Sequence, residues 1–205
     1  MRFTKTLLSL FAMAAFSTTA FAGEKYEIDA SHSNISFTVR HMVVAKVSGS
    51  FKKFSGTIIY DEQDVTKSSV TVTIKTTSID TDNERRDNHL RSGDFFNAAT
   101  DSAITFVSKK IEKRGEGYVA IGDFTMRGVT KQIELPFTIL GKIKDPWGNT
   151  RVGIEATTSV NRLEYGVKWD NKLGDGNLVV SDKVDITLTI EAIAAAPKPP
   201  EPAKK

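Results

Sequence analysis

The chain has 205 residues, no cysteine, 26% charged residues and a formal net charge of +3. Without cysteine there is no disulfide framework, no thiol catalysis and no lipid-modified cysteine. The positive charge belongs to the two ends, Arg2 and Lys5 at one and Lys198, Lys204 and Lys205 at the other. The body between them is close to neutral, which excludes the basic face of a nucleic-acid binder.

Residues 1–22 combine Arg2 and Lys5, an uncharged and largely apolar run over residues 7–16, and the small-residue pattern Ala20-Phe21-Ala22. This predicts a secretory signal peptide cleaved after Ala22, since the run is shorter than the ~20 apolar residues of a spanning helix. The mature chain then starts at Gly23 and falls in the one-domain size range. An exported chain without staples or anchor points to a bacterial periplasm, with secretion to the medium as the alternative.

From Glu27 onward the apolar residues recur with period two. Ile35, Phe37 and Val39 alternate with Ser36, Thr38 and Arg40, and Val70, Val72 and Ile74 with Thr71, Thr73 and Lys75. Further on come Ile133, Leu135, Phe137 and Ile139, then Val152, Ile154 and Ala156, then Val184, Ile186, Leu188 and Ile190. Each run predicts a strand with one face in and one face out. Short turn signals separate them: Arg114-Gly115-Glu116-Gly117, Arg127-Gly128, and Asp145-Pro146-Trp147-Gly148-Asn149. Such links join antiparallel neighbours, and about eight strands in succession form a sandwich or, with no exposed edge, a closed barrel.

One segment departs from the period. Thr81 followed by Glu84 reads as a capping box, and Gly93 stands where a helix would stop, so residues 82–91 are predicted to be a short charged helix. Residues 194–205, with four prolines, are predicted to be a disordered tail.

Several stretches then carry a family resemblance: DASHS (29–33), FTVRHM (37–42), GSFKKFSG (49–56), SIDT (78–81), RRDNHLRSGDFFN (85–97), GDFTMRGVTKQIEL (122–135), NRLEYG (161–166) and SDKVDITL (181–188). Their order and spacing resemble the YceI-like polyisoprenoid-binding proteins of bacterial periplasms over nearly the whole mature chain. The resemblance implies an all-β fold, an extended lipocalin-like antiparallel eight-stranded β-barrel with a short helical insertion over residues 23–193. It also implies a tunnel for a long isoprenoid or similar lipid. Two departures, Ser102-Ala103 before a strand where the family tends to have proline and Tyr165 where phenylalanine is common, bear on the ligand more than on the fold.

The aromatic residues, Phe37, Phe51, Phe54, Phe95, Phe96, Phe106, Phe124, Phe137, Trp147 and Trp169, with Met42 and Met126, are ordinary core or tunnel lining by pattern alone. The resemblance selects the tunnel. Its expected ligand-binding residues are Phe37, Val39, Val72, Ile74, Arg86, His89, Phe95, Phe96, Phe106, Phe124, Met126, Leu135, Phe137 and Trp169. The charged cluster Arg85, Arg86, Asp87, His89 and Arg91 is either a solvated helix face or a polar rim at the tunnel mouth, where Arg86 and His89 would meet a polar head. His32, His41 and His89, with Asp29 or Asp87, lack the short spacing of a zinc site, so no metal and no cofactor is expected. Here His32 and His41 are expected to hydrogen-bond backbone near the ends of one strand. Ser31 and Ser33 lack a nucleophile elbow, so no catalysis is expected. The predicted function is to hold or carry a long isoprenoid, polyprenyl or quinone. A fatty acid or fatty amide binder and a structural barrel with a filled core are the alternatives. The expected partners are that lipid and, transiently, a membrane, for a monomer or homodimer.

Overall fold

The computed structural model describes residues 23–42, 44–169 and 179–195. Eleven strands form one antiparallel sheet: β1 (Glu24–Ile28), β2 (Asn34–His41), β3 (Ala45–Phe51), β4 (Phe54–Tyr60), β5 (Ser69–Lys75), β6 (Ile79–Asp80), β7 (Ala103–Arg114), β8 (Gly117–Met126), β9 (Val129–Lys144), β10 (Thr150–Asn161) and β11 (Lys183–Ala194). Among the described residues a single α-helix, α1 (Glu84–Arg91), follows β6.

The eleven segments make eight staves. β1 and β2 share one position beside β11, pairing through Tyr26↔Ala194 and Phe37↔Ile186, and both pair on their other side with β4 and β3. β5 and β6 likewise share the position beyond β4 and β3. From there β7, β8, β9, β10 and β11 follow in chain order, and β11 meets β1 to close the ring. The expected barrel of eight antiparallel strands is therefore the observed fold, a meander in which three staves are broken.

Local hydrogen bonds hold the chain at two of these breaks. Between β1 and β2 the Ser33 hydroxyl exchanges hydrogen bonds with the backbone of Glu191, at 2.9 and 3.2 Å, while residues 29–32 bow outward. Between β3 and β4 the Ser78 carbonyl accepts from Lys52 N–H at 3.0 Å. The Arg127-Gly128 turn between β8 and β9 places both residues at positive φ, 49° and 70°, the conformation of a type I′ turn.

The helix ends at Arg91 as expected and corrects the sequence reading at its start. It begins at Glu84, capped by Asn83, whose side chain accepts from Arg86 N–H at 3.0 Å. Thr81 does not cap; its N–H and hydroxyl bond the buried Asp87 carboxylate at 3.0 and 2.5 Å. The C-cap is Ser92, with Gly93 directly after it. The tail also begins later than expected, since Ala194 belongs to β11 and Ala195 N–H donates to the Lys25 carbonyl at 2.8 Å. The expected signal peptide and the rest of the tail lie outside the described residues.

Candidate functional site

The inward faces of the staves do not meet at the barrel axis. They surround a cavity of about 710 Å³. At one end Tyr26, Ile58, Val152 and Ala192 pack into a separate buried cluster, Tyr26 and Ala192 at 0% exposure, and close the bore. Tyr26, Val152 and Ala192 are absent from the cavity wall, so the cavity stops above them on the side of β10, β11 and β1, while on the side of β4 and β5 the wall runs on to Tyr60, Val65, Ser68 and Ser69. At the other end the wall includes exposed Arg85 and His89 of α1, and the outlet lies there.

All of the residues expected at a ligand site stand on this wall: Phe37 and Val39 of β2, Val72 and Ile74 of β5, Arg86 and His89 of α1, Phe95 and Phe96 beyond it, Phe106 of β7, Phe124 and Met126 of β8, Leu135 and Phe137 of β9, and Trp169 after β10. Period-two alternation is what puts the strand members there, because every second side chain of a barrel strand points inward. Gly49 on β3 makes room for Phe37: a Cβ at that position would fall 2.6 Å from the Phe37 ring.

The sequence reading missed the opposite wall, Ile154, Ala156 and Val160 of β10 and Val184, Ile186, Leu188 and Ile190 of β11. The signal was present, since these residues alternate like the others. Two aromatics grouped with the lining are elsewhere. Trp147 is 81% exposed on the β9–β10 turn, and Phe54 packs against the core without reaching the cavity. Met42 is likewise exposed, on the turn between β2 and β3.

The outlet is built by aromatic stacking and by two guanidinium groups. The His89 ring meets Phe95 and Trp169 edge-on at 5.1 and 5.8 Å, and Phe95 and Trp169 lie 5.3 Å apart. His89 Nε2 also lies 2.8 Å from Asp94. Arg127 Nη1 donates to the Phe95 carbonyl and so ties this cluster to the β8–β9 turn. Arg86 donates through Nε to Thr81 Oγ1 at 2.7 Å and through Nη2 to the Thr81 carbonyl at 2.5 Å, with the buried Asp87 on the far side of the same threonine. The charged cluster is thus neither a purely solvated face nor a free rim: Asp87 and Arg86 lock the helix start, while Arg85 and His89 remain exposed. Among the described residues, every charged side chain on the cavity wall, Arg85, Arg86 and Arg162, is at this end.

Arg162 had no signal of its own. It is 3% exposed, and its guanidinium donates to the carbonyls of Val167, Trp169, Val180 and Ser181 at 2.7–3.1 Å, besides the Asp182 carboxylate at 3.2 Å. It therefore fixes the chain on both sides of residues 170–178 at the outlet. Burial raises the pKa of neighbouring Tyr165, whose ring meets Phe124 edge-on at 5.4 Å.

The histidines do not converge. His41 and His89 line the cavity, whereas His32 is outside the barrel in the bowed segment. A backbone partner had been expected for its ring, which instead meets the Asp29 carboxylate at 2.8 Å. Asp29, His32 and Glu191 are the one grouping of potential metal ligands among the described residues, and Arg151 already bridges Asp29, at 3.1 Å, and Glu191. Asp29 is held well below the usual carboxylate range by the Ser31 hydroxyl, the His32 ring and Arg151. The serine nearby is not set up as a nucleophile. Ser31 Oγ donates to Asp29 at 2.5 Å, and both Ser31 and Asp29 contact the same histidine nitrogen, Nδ1, whereas a triad uses the two nitrogens separately.

Comparison with known proteins adds a family. A model of the YceI-like domain matches residues 26–192. Protein YceI of Escherichia coli is 37% identical over 192 residues, covering 92% of this chain and 97% of that protein. Among solved structures, BcnA of Burkholderia cenocepacia superposes with a TM-score of 0.70 at 23% identity, over 80% of this chain and 98% of that one. A polyisoprenoid binding domain from Saccharophagus degradans, implicated in plant cell wall breakdown, does so with a TM-score of 0.58 at 16% identity, over 83% and 98%. These last two likenesses are of fold.

Proposed function

The chain belongs to the YceI-like domain family, and from that premise we propose that it is a periplasmic carrier holding a long isoprenoid, a polyprenyl chain or an isoprenoid quinone, lengthwise in the barrel. The observation that supports this reading is the bore itself. An eight-stranded barrel has room either for packed side chains or for one ligand, and here the inward residues leave about 710 Å³ between them. A structural barrel would have filled that space.

The wall is apolar along its length and charged only at the outlet, which suits a ligand with a hydrocarbon tail and a polar head. At ~0.8 kcal/mol per CH₂, a buried stretch of roughly twenty carbons gains on the order of 15 kcal/mol over water. A bilayer is equally apolar, so the relevant exchange, bilayer to barrel, is nearly balanced and loading is reversible. The head is placed at the outlet, near Arg85, Arg86 and His89. The barrel has no chemistry to perform in this reading: it excludes water from the tail and releases it unchanged. The periplasmic setting rests on the predicted signal peptide and the absence of cysteine.

Native mass spectrometry of protein purified from its own periplasm tests the proposal. An adduct with the mass of a polyprenyl or quinone species is expected. An acyl-chain adduct would replace the isoprenoid with a fatty acid or fatty amide, and a bare chain that also fails to take up added isoprenoid would overturn the carrier reading.

A further inference from the structure

We infer that the buried floor made by Tyr26, Ile58, Val152 and Ala192 is a length stop, which fixes how many isoprene units of a bound chain lie inside the barrel. The inference rests on the carrier reading above and adds to it a specificity that the apolar wall alone would not supply. A smooth apolar bore open at both ends would accept any chain length, because each further unit would find equivalent surroundings. This bore is closed at one end.

The closure is firm. Tyr26 is fully buried, its ring meets Tyr60 edge-on at 6.0 Å, and its hydroxyl donates to Glu24 at 2.6 Å. Its strand is held on both sides, by β4 through Tyr26↔Ile58 and by β11 through Tyr26↔Ala194. Val152 and Ala192, also paired across β10 and β11, are 1% and 0% exposed. A chain tip pressing on this layer would have to displace buried side chains held on four paired strands, β4, β1, β11 and β10, to go further. Ile58 belongs both to this layer and to the cavity wall, and Ile28, Tyr60, Val70, Ile139 and Ile154 pack against the layer and also line the cavity. Those residues are the surface that the tip of a ligand would touch.

The length that fits follows from strand geometry. On β11 the wall runs from Ile190 above the floor to Val184 near the outlet, which at ~3.3 Å per residue is roughly 20 Å along the strand. A tilt of about 40° reduces this to roughly 15 Å along the axis. An isoprene unit adds four bonds of about 1.5 Å in zigzag, roughly 5 Å. The barrel proper therefore seats about three extended units, and the layer of α1 and Trp169 adds about one. Units beyond these stay outside the protein.

The experiment uses the delipidated protein and all-trans isoprenoid alcohols of increasing length, measuring displacement of an apolar fluorescent probe. Affinity should rise on the order of tenfold or more per unit while each unit leaves water for the bore, then level off at a break. Ile58→Ala lowers the floor and should move the break to a longer alcohol. Ile154→Phe raises it and should move the break to a shorter one. Leu140→Ala, on the outer surface, should leave it in place. Each variant is checked by its thermal midpoint, so that if one fails to fold the other still decides. A break that stays put in a folded Ile58→Ala or Ile154→Phe protein, or a wild-type affinity that climbs without any break, overturns the length stop while leaving the carrier reading intact. Failure of the wild type to bind any alcohol overturns both.

Discussion

Replacing Arg162 with methionine should loosen the outlet of the bore before it weakens the barrel. The guanidinium reaches four backbone carbonyls and the Asp182 carboxylate while only 3% exposed. Hydrogen bonds to a charged group contribute about 1.5–3 kcal/mol each, but the cost of burying the cation opposes their sum. Methionine fills part of the volume and leaves the acceptors unpaired, so the net loss should be about 3–5 kcal/mol, as for a buried ionic contact that loses one partner. That is a large share of a domain stability of roughly 5–15 kcal/mol. The loss should be local in character, because the strands themselves keep their ladders. Urea denaturation gives the total, and amide exchange gives its location: Val167 N–H, bonded to the Arg162 carbonyl at 3.2 Å, and Ser181 N–H, bonded to the Arg40 carbonyl at 2.9 Å, should exchange faster by more than Ile186 in the middle of β11. Arg162→Lys should not restore protection, since an ammonium cannot fork to acceptors on two segments. An unchanged urea midpoint with unchanged exchange at Val167 and Ser181 would refute the reasoning.

Two further outcomes follow from the turns. Gly128 sits at φ 70°, so Gly128→Val should destabilise by about 1–2 kcal/mol, the cost of a branched side chain in the left-handed region; an unaltered denaturation midpoint would mean that the turn relaxes freely. Asp145 anchors the β9–β10 turn by accepting from Trp147 N–H, Asn149 N–H and Arg151 Nε at 2.7–3.0 Å, and these contacts lower its pKa to about 2, Arg151 most of all. A depressed carboxylate stabilises the fold above its unfolded pKa of ~3.9 and loses that contribution as pH falls through the folded value. Asp29 and Glu191 share Arg151 with it and remain in the variant. The gap in thermal midpoint between wild type and Asp145→Asn should therefore be constant above about pH 5 and shrink toward pH 2; a gap independent of pH would show that the charge of Asp145 contributes nothing.

The sequence by itself determined the staves of the barrel and the side of each that faces inward. Period two is a local property of extended backbone, so Phe37, Val72, Leu135 and Phe137 could be assigned to one face without knowing what that face meets. The Arg127-Gly128 turn was legible for the same reason, because its backbone conformation needs no distant partner. Tertiary structure alone decided how far the inward side chains reach and what they enclose. Val152 and Ile154 share one face of β10, yet Val152 lies in the floor and Ile154 on the cavity wall, because their depth in the barrel depends on how β9, β10 and β11 are registered. Trp147 and Trp169 looked equivalent in a list of aromatics, but the first projects from a turn anchored by Asp145 and the second closes on Phe95 at the outlet. Thr81 had the right spacing for a helix cap and was drawn instead to Asp87 and Arg86, leaving the cap to Asn83. The burial of Arg162 was beyond sequence reasoning, since it depends on carbonyls from two segments, residues 167–169 and 180–181, that only the folded β10–β11 connection brings around one guanidinium.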